Sequence, residues 1–238
     1  MSSRRELGAP ARDLRAGAVA VAPIVVGIVP FGLIVGLAAV DAGLGLAEAL
    51  GFSVFVFAGA AQLAALDLLG SDAAVAVVIT TALVINVRMV MYSASIAPYL
   101  AALPRRRRVL GTYFLIDQVY ALAIVRYRDQ PDLDRWWFYL GAALPLWITW
   151  QTTTALGVFV GDAVPDAIPL GFAVPLAFLS LLIPTLTDRP ALVAALAAAV
   201  VATLAVPLPA NAGMPLAALA GIGAGWLAAV HRERVVPG

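Results

Sequence analysis

Four polar side chains stand inside apolar runs of this chain: Gln62, Asn86, Arg88 and Asp117. Hydrolytic or metal chemistry would need partners that are missing. The chain has no cysteine and one histidine, His231. Thiolate sites, imidazole metal clusters and Ser–His or Cys–His catalysis inside those runs are excluded, and no metal or other cofactor is expected. An acid-pair enzyme would need a second carboxylate in mid-run, and only Asp117 is clearly so placed. An enzyme is therefore not expected. The four side chains can instead bind. An arginine or a helix N-terminus holds a carboxylate, and amides hydrogen-bond a polar end. A buried aspartate pairs with a cation or takes up a proton.

Spacing groups these residues with others. Arg88 and Tyr92 are four apart, and Thr81 and Ser95 lie seven either side of Arg88, so all four share a helical face. That face points into a bundle, or Arg88 reaches back to an interface near Arg105. Tyr113, Asp117 and Tyr120 fall at i, i+4 and i+7. Asp117 is then a proton relay, a partner for Arg88 or part of a static ion pair. Gln62 closes the run Phe57-Ala-Gly59-Ala-Ala-Gln62. The run is either a broken helix whose end near Gly59 meets a ligand, or close packing joined by one glutamine. Trp147, Trp150, Gln151 and Thr154 form another stripe, which lines a hollow for an apolar side chain or simply packs. Pro23 and Pro30, among Gly27, Gly32 and Gly36, break a helix at a substrate or merely kink it. Pro175 and Pro184 make a later run a poor straight helix.

These residues need a scaffold whose solvent is lipid. Of 238 residues, 63% are hydrophobic and 12% charged, against roughly 25% charged in an average soluble domain. Mean hydropathy is +0.97. A soluble domain of this size cannot hide that much apolar surface. All fifteen basic residues are arginine and the net charge is +1, so they read as topology markers, and no nucleic-acid partner is expected.

Eight apolar stretches span 16–40, 46–69, 73–103, 109–126, 136–161, 170–187, 190–206 and 213–230. They are too long and too uniformly apolar for barrel strands. The first, 25 residues long, exceeds a signal-peptide core and reads as an uncleaved segment. The expected fold is an all-α polytopic membrane protein, with some segments broken or re-entrant. Residues 1–15 form a basic cytoplasmic N-terminus, 16–230 one transmembrane domain and 231–238 a short tail.

The halves echo each other. Gly36 is followed five residues on by Asp41, and Gly157 by Asp162. Gly51-Phe52 has a counterpart in Gly171-Phe172, so the offset is 121 or 120. Repeats over 16–126 and 136–230 are therefore expected. The N-terminal arginines and Arg105 to Arg108 should share the cytoplasmic side. Three apolar stretches lie between them, so stretches two and three should make one net crossing. Stretch four then exits, placing the mixed segment 126–135 outside. An inverted repeat with six net crossings follows; seven plain helices are the alternative. Inverted repeats with interrupted helices are a transporter design.

The ordered series Pro30-Phe-Gly32, Phe57 to Gln62, Asn86-Val-Arg88 with Tyr92, and Asp117 after Arg105–Arg108 resembles the azaleucine-resistance (AzlC) family. Leu144-Pro-Leu-Trp147 with Gln151 and Gly157, and Phe172-Ala-Val-Pro175-Leu-Ala-Phe178, extend the resemblance over about 20–230. It implies the large subunit of an exporter of valine, leucine and isoleucine, with methionine a further candidate. It also implies a multi-pass inner-membrane location, a small AzlD-type membrane subunit and coupling to the proton gradient. Two departures stand out: Met89 where the family often has histidine, and Gln118 where it often has an acid. Each removes a titratable group. Joined to the residue reading, the substrate-binding set is Gly59, Gln62, Asn86, Arg88, Trp147 and Gln151, with Asp117 for proton coupling and alternating access between sides. An accessory subunit without its own pathway is the competing reading.

Overall fold

In the computed structural model, residues 9–163, 186–206 and 213–235 are described, with Leu179 and Leu182. Nine helices lie among them. The first seven are α1 (Ala9–Asp41), α2 (Leu46–Phe55), α3 (Gly59–Gly70), α4 (Val75–Leu100), α5 (Arg105–Tyr113), α6 (Asp117–Asp129) and α7 (Arg135–Ala163). They are followed by α8 (Arg189–Leu204) and α9 (Gly213–Val235). α1 and α4 are long and apolar enough to cross a membrane. At 1.5 Å per residue, the 26 residues of α4 reach about 39 Å. Its outer face carries Val75, Ile79, Leu83, Val87 and Val90, all more than half exposed. Lipid is the solvent that suits such a face.

α1 runs unbroken through Pro23 and Pro30. This corrects the expectation that these prolines break the helix. Each removes one hydrogen bond, but α1 is clamped along its length to α7. Gly17 lies against Phe138 and Ala142, Gly32 against Thr153, and Gly36 against Gly157. Asp13 Oδ2 accepts from Asp134 N at 2.8 Å. The contacts rise together along both chains, so α1 and α7 are parallel.

α4 runs the other way, bringing the Tyr99 carbonyl to Arg135 at the start of α7 (2.9 Å). The remaining helices form two hairpins. Gly59, opening α3, touches Phe31 and Trp150 midway along α1 and α7, whereas Gly70 at its end lies against Ala42. α2 and α3 thus enter and leave at one end of the bundle. α5 and α6 do so at the other. Tyr113 at the end of α5 meets Trp147 in mid-bundle, and Tyr127 near the end of α6 bonds the Arg135 carbonyl. Both tips turn by the same device, an N–H bonding the carbonyl two residues back: Ala58 to Val56 at 2.5 Å and Ile116 to Phe114 at 3.0 Å.

The succession α1–α2–α3 therefore recurs upside down as α4–α5–α6. From the end of α1 onward, its boundaries repeat 58 or 59 residues later. This differs from the expected inversion between 16–126 and 136–230, because α1 and α7 run in the same direction. Of stretches two and three, one of which is expected to be broken or re-entrant, it is stretch two that forms the α2–α3 hairpin. Stretch four is also re-entrant rather than a crossing. The arginines of 105–108, 126, 128 and 135 consequently gather at the end that holds Arg12 and Arg15, and 126–135 is not on the far side. The opposite end holds Asp41, Glu48, Asp67, Asp72 and Asp162. α8 and α9 pair antiparallel, with Gly221 against Ala194 and Gly213 against Ala205. Pro175, Gly171-Phe172 and most of stretch 170–187 lie outside the described residues.

The positive-inside tendency predicts that the basic end faces the cytoplasm. Single cysteines test this cleanly in a chain with none of its own. Ser71→Cys is expected to react with a membrane-impermeant thiol reagent only from outside the cell. Ala102→Cys and Asp132→Cys should react only from inside. Labelling of Asp132→Cys from outside would make α5–α6 a crossing and discard the second hairpin.

Candidate functional site

The two hairpin tips face each other in mid-bundle. Phe57 of the first stacks on Tyr113 of the second at 6.2 Å, and the Tyr113 hydroxyl donates to the Val54 carbonyl at 2.9 Å. The N-termini of α3 and α6 both end here, as do the C-termini of α2 and α5. Half-helices begin with unpaired N–H groups and end with unpaired carbonyls. The N-termini of α3 and α6 line one space with Arg88, whereas the C-termini of α2 and α5 border a neighbouring groove and several of their last carbonyls are already bonded.

A cavity of about 440 Å³ opens at this junction. Gly59, Arg88 and Asp117 line it, with Phe31, Met89, Ile116 and Trp150. It continues past Ile28 and Ile24 of α1, toward the basic end. Arg88 Nη2 meets Asp117 Oδ2 at 2.9 Å. Both side chains are about one third exposed (33% and 34%), so the pair faces the cavity rather than sealed core. Arg88 does not reach for the interface. Behind the pair Tyr92 stacks on Tyr120 at 4.4 Å, and Tyr120 bonds Ser95 at 2.9 Å. This is the polar face expected from the spacing around Arg88.

The other expected residues are distributed around this hollow. Gln62 is fully buried, and its Oε1 accepts from Trp150 Nε1 at 3.1 Å. Gln151 Nε2 approaches the Ser53 carbonyl at 3.4 Å, joining α7 to α2. Trp147 donates to the Tyr113 hydroxyl at 2.8 Å and so braces the second tip instead of lining the cavity. Asn86 lies on another side of α4, in a larger groove of about 750 Å³ with Phe55, Leu83 and Val90. At 100° per residue, Asn86 and Arg88 cannot share a helical face.

The apolar wall comes from residues not assigned to the site by sequence: Phe31 and Trp150, their rings 5.4 Å apart, with Ile24 and Ile28. Trp150 stood in the recognised stripe, and Phe31 stood between Pro30 and Gly32. Their convergence depends on the parallel α1–α7 contact. Gly59 fits because a Cβ there would strike the rings of Phe31 and Trp150. Among the described residues, no group of three or more His, Cys, Asp or Glu residues could hold a metal ion.

The family model described as AzlC protein matches residues 23–164. The chain is 30% identical over 187 residues to "Inner membrane protein YgaZ" of Escherichia coli (strain K12), covering 75% of this chain and 76% of that protein. It is 31% identical over 190 residues to a membrane protein of Archaeoglobus fulgidus, covering 78% of this chain and 82% of that one. No solved structure gives a significant match. The matched span contains both hairpins, the ion pair and the cavity.

Proposed function

The chain belongs to the AzlC family, and from that premise we propose that it is a permease subunit exporting branched-chain amino acids across the cytoplasmic membrane. The observation that carries this reading is the cavity where two re-entrant tips meet. An amino acid presents a carboxylate, an ammonium and an apolar side chain. The N-termini of α3 and α6, together with Arg88, suit the carboxylate. Ile24, Ile28, Phe31 and Trp150 suit an aliphatic side chain. One methylene is worth about 1–3 kcal/mol in such a pocket, so valine, leucine and isoleucine are poorly separated.

The ion pair supplies a route to proton coupling. A substrate carboxylate competes with Asp117 for Arg88. In this proposal Asp117 is the proton-carrying group, and substrate and proton occupy the site in turn. The site then alternates between the two membrane faces with substrate and proton exchanged. A small AzlD-type subunit completes the transporter in this proposal.

Reconstitution tests it. Vesicles loaded with radiolabelled leucine and containing this chain with its small partner are expected to show saturable efflux and counterflow, accelerated by a proton gradient. Linear, unsaturable flux would make it a passive channel. If the small partner alone transported leucine at the same rate, this chain would be an accessory subunit.

A further inference from the structure

Several buried polar atoms make no hydrogen bond. Four of them, Ser53 Oγ, Gln62 Nε2, Gln151 Oε1 and Thr154 Oγ1, lie on α2, α3 and α7 near the first tip. Ser53, Gln62 and Thr154 are each 0% exposed. Polar atoms left unmatched in an apolar surrounding are costly, so a state that wets them would be favoured by the same groups. Their position is informative. Ser53 precedes the first tip by three residues, Gln62 follows Gly59 by three, and Thr154 follows Trp150 by four. Each therefore stands a few ångströms toward the acidic end from the level of Phe31, Gly59 and Trp150. The cavity lies on the other side of that level.

The amide assignments are forced. An indole N–H can only donate, so the Gln62 atom it bonds is the oxygen, and Nε2 turns two donor hydrogens elsewhere. Gln151 donates through Nε2 to Ser53 O, which leaves its Oε1 as an acceptor. Two hydroxyls complete a set of mixed donors and acceptors. Such a set suits water or a zwitterion; the Gln62 donors disfavour a bare cation.

We propose that Phe31, Gly59 and Trp150 form the outer gate of the pathway, that Gln62 latches it through Trp150, and that Ser53, Gln62, Gln151 and Thr154 line the passage beyond. The proposal rests on the permease reading above. Gly59 allows the rings to close over the tip, because any Cβ there would displace them. When Trp150 swings aside, Gln62 loses its partner and both amide ends face the opened path.

The test uses the cysteine-free chain in inside-out vesicles, with Ser53→Cys and Thr154→Cys as separate reporters and a membrane-impermeant thiol reagent applied from the cytoplasmic side, so that it must pass the gate to reach them. With the gate intact, labelling should be slow. Adding Gln62→Leu, Trp150→Phe or Trp150→Ala should accelerate it. Losing one hydrogen bond is worth about a fivefold shift in the open population, and removing the ring more. Leu156→Cys, exposed on the lipid side of α7, should keep its own rate in every background. Size-exclusion profiles identify variants that fold, and Trp150→Phe keeps the ring if Trp150→Ala does not. Unchanged rates at both reporters in Gln62→Leu and Trp150→Phe would overturn the gate. Because labelling needs no substrate, accelerated labelling without leucine efflux would reject the permease reading alone. Efflux without any change in labelling would reject the gate alone.

Discussion

Arg88→Ala, with Asp117 left in place, is expected to abolish export and to destabilise the protein. The guanidinium and carboxylate lie 2.9 Å apart in a cavity enclosed by apolar residues. Removing one member of a charge pair that is one third exposed costs less than the several kcal/mol of a fully buried pair, about 1–2 kcal/mol, because solvent screens the charge left unpaired. At 1.4 kcal/mol per factor of ten, a carboxylate contact of similar size lost from the substrate lowers affinity by about 5–30-fold. Leucine efflux at low internal concentration reads the first effect, and thermal unfolding in detergent the second. Two further variants separate the causes. Arg88→Ala combined with Asp117→Ala removes both charges, so stability returns while export stays absent. Arg88→Lys keeps the charge but loses the fork that grips a carboxylate, so export falls less than with alanine. Asp117→Asn should retain downhill leucine exchange but lose acceleration by a proton gradient. Export by Arg88→Ala at the normal rate would reduce the pair to a structural tie.

How the site was and was not legible follows from the same geometry. Apolar length located nearly every helix that the structure describes. Charge demanded a re-entrant element before Arg105, and the α2–α3 hairpin is that element. The second hairpin was hidden because 126–135 mixes three arginines with three aspartates, which weakens any side preference. The inverted succession at 58 or 59 residues left no readable motif. Its corresponding positions carry different chemistry, Gly59 in one tip and Asp117 in the other. The 121-residue echo was visible for a reason unrelated to inversion. Gly36 and Gly157 are both small because they press on each other where α1 and α7 run parallel. Prolines misled, since a long helix supported along one side tolerates the loss of single hydrogen bonds. The tip breaks at 56–58 and 114–116 contain no proline or glycine; Gly59, directly after the first, is the one signal of a break, and no glycine follows the second.

That parallel seam carries the second large effect. Gly157→Leu is expected to separate α1 from α7 and to take the cavity with it. A Cβ on Gly157 would collide with the Leu33 carbonyl and come within 3 Å of the Gly36 backbone. A Cβ on Gly36 would likewise meet the Thr154 carbonyl, and one on Gly141 the Leu14 carbonyl. Overpacking costs about 1–3 kcal/mol where side chains can yield. Here the obstacles are backbone atoms, so whole helices must part and the cost exceeds that range. The consequence is functional because Phe31 rides on α1 and Trp150 on α7, five to seven residues from the collision. Their 5.4 Å ring contact and the fit over Gly59 depend on this spacing. Gly157→Ala should show a smaller form of the same defect, whereas Gly223→Leu, with nothing within 4 Å of its Cβ position, should behave as the parent protein. Thermal unfolding and leucine efflux should decline together across Gly223→Leu, Gly157→Ala and Gly157→Leu. A Gly157→Leu protein as stable as the parent would show that α1 and α7 do not touch along this line, and the cavity would lose two of its walls.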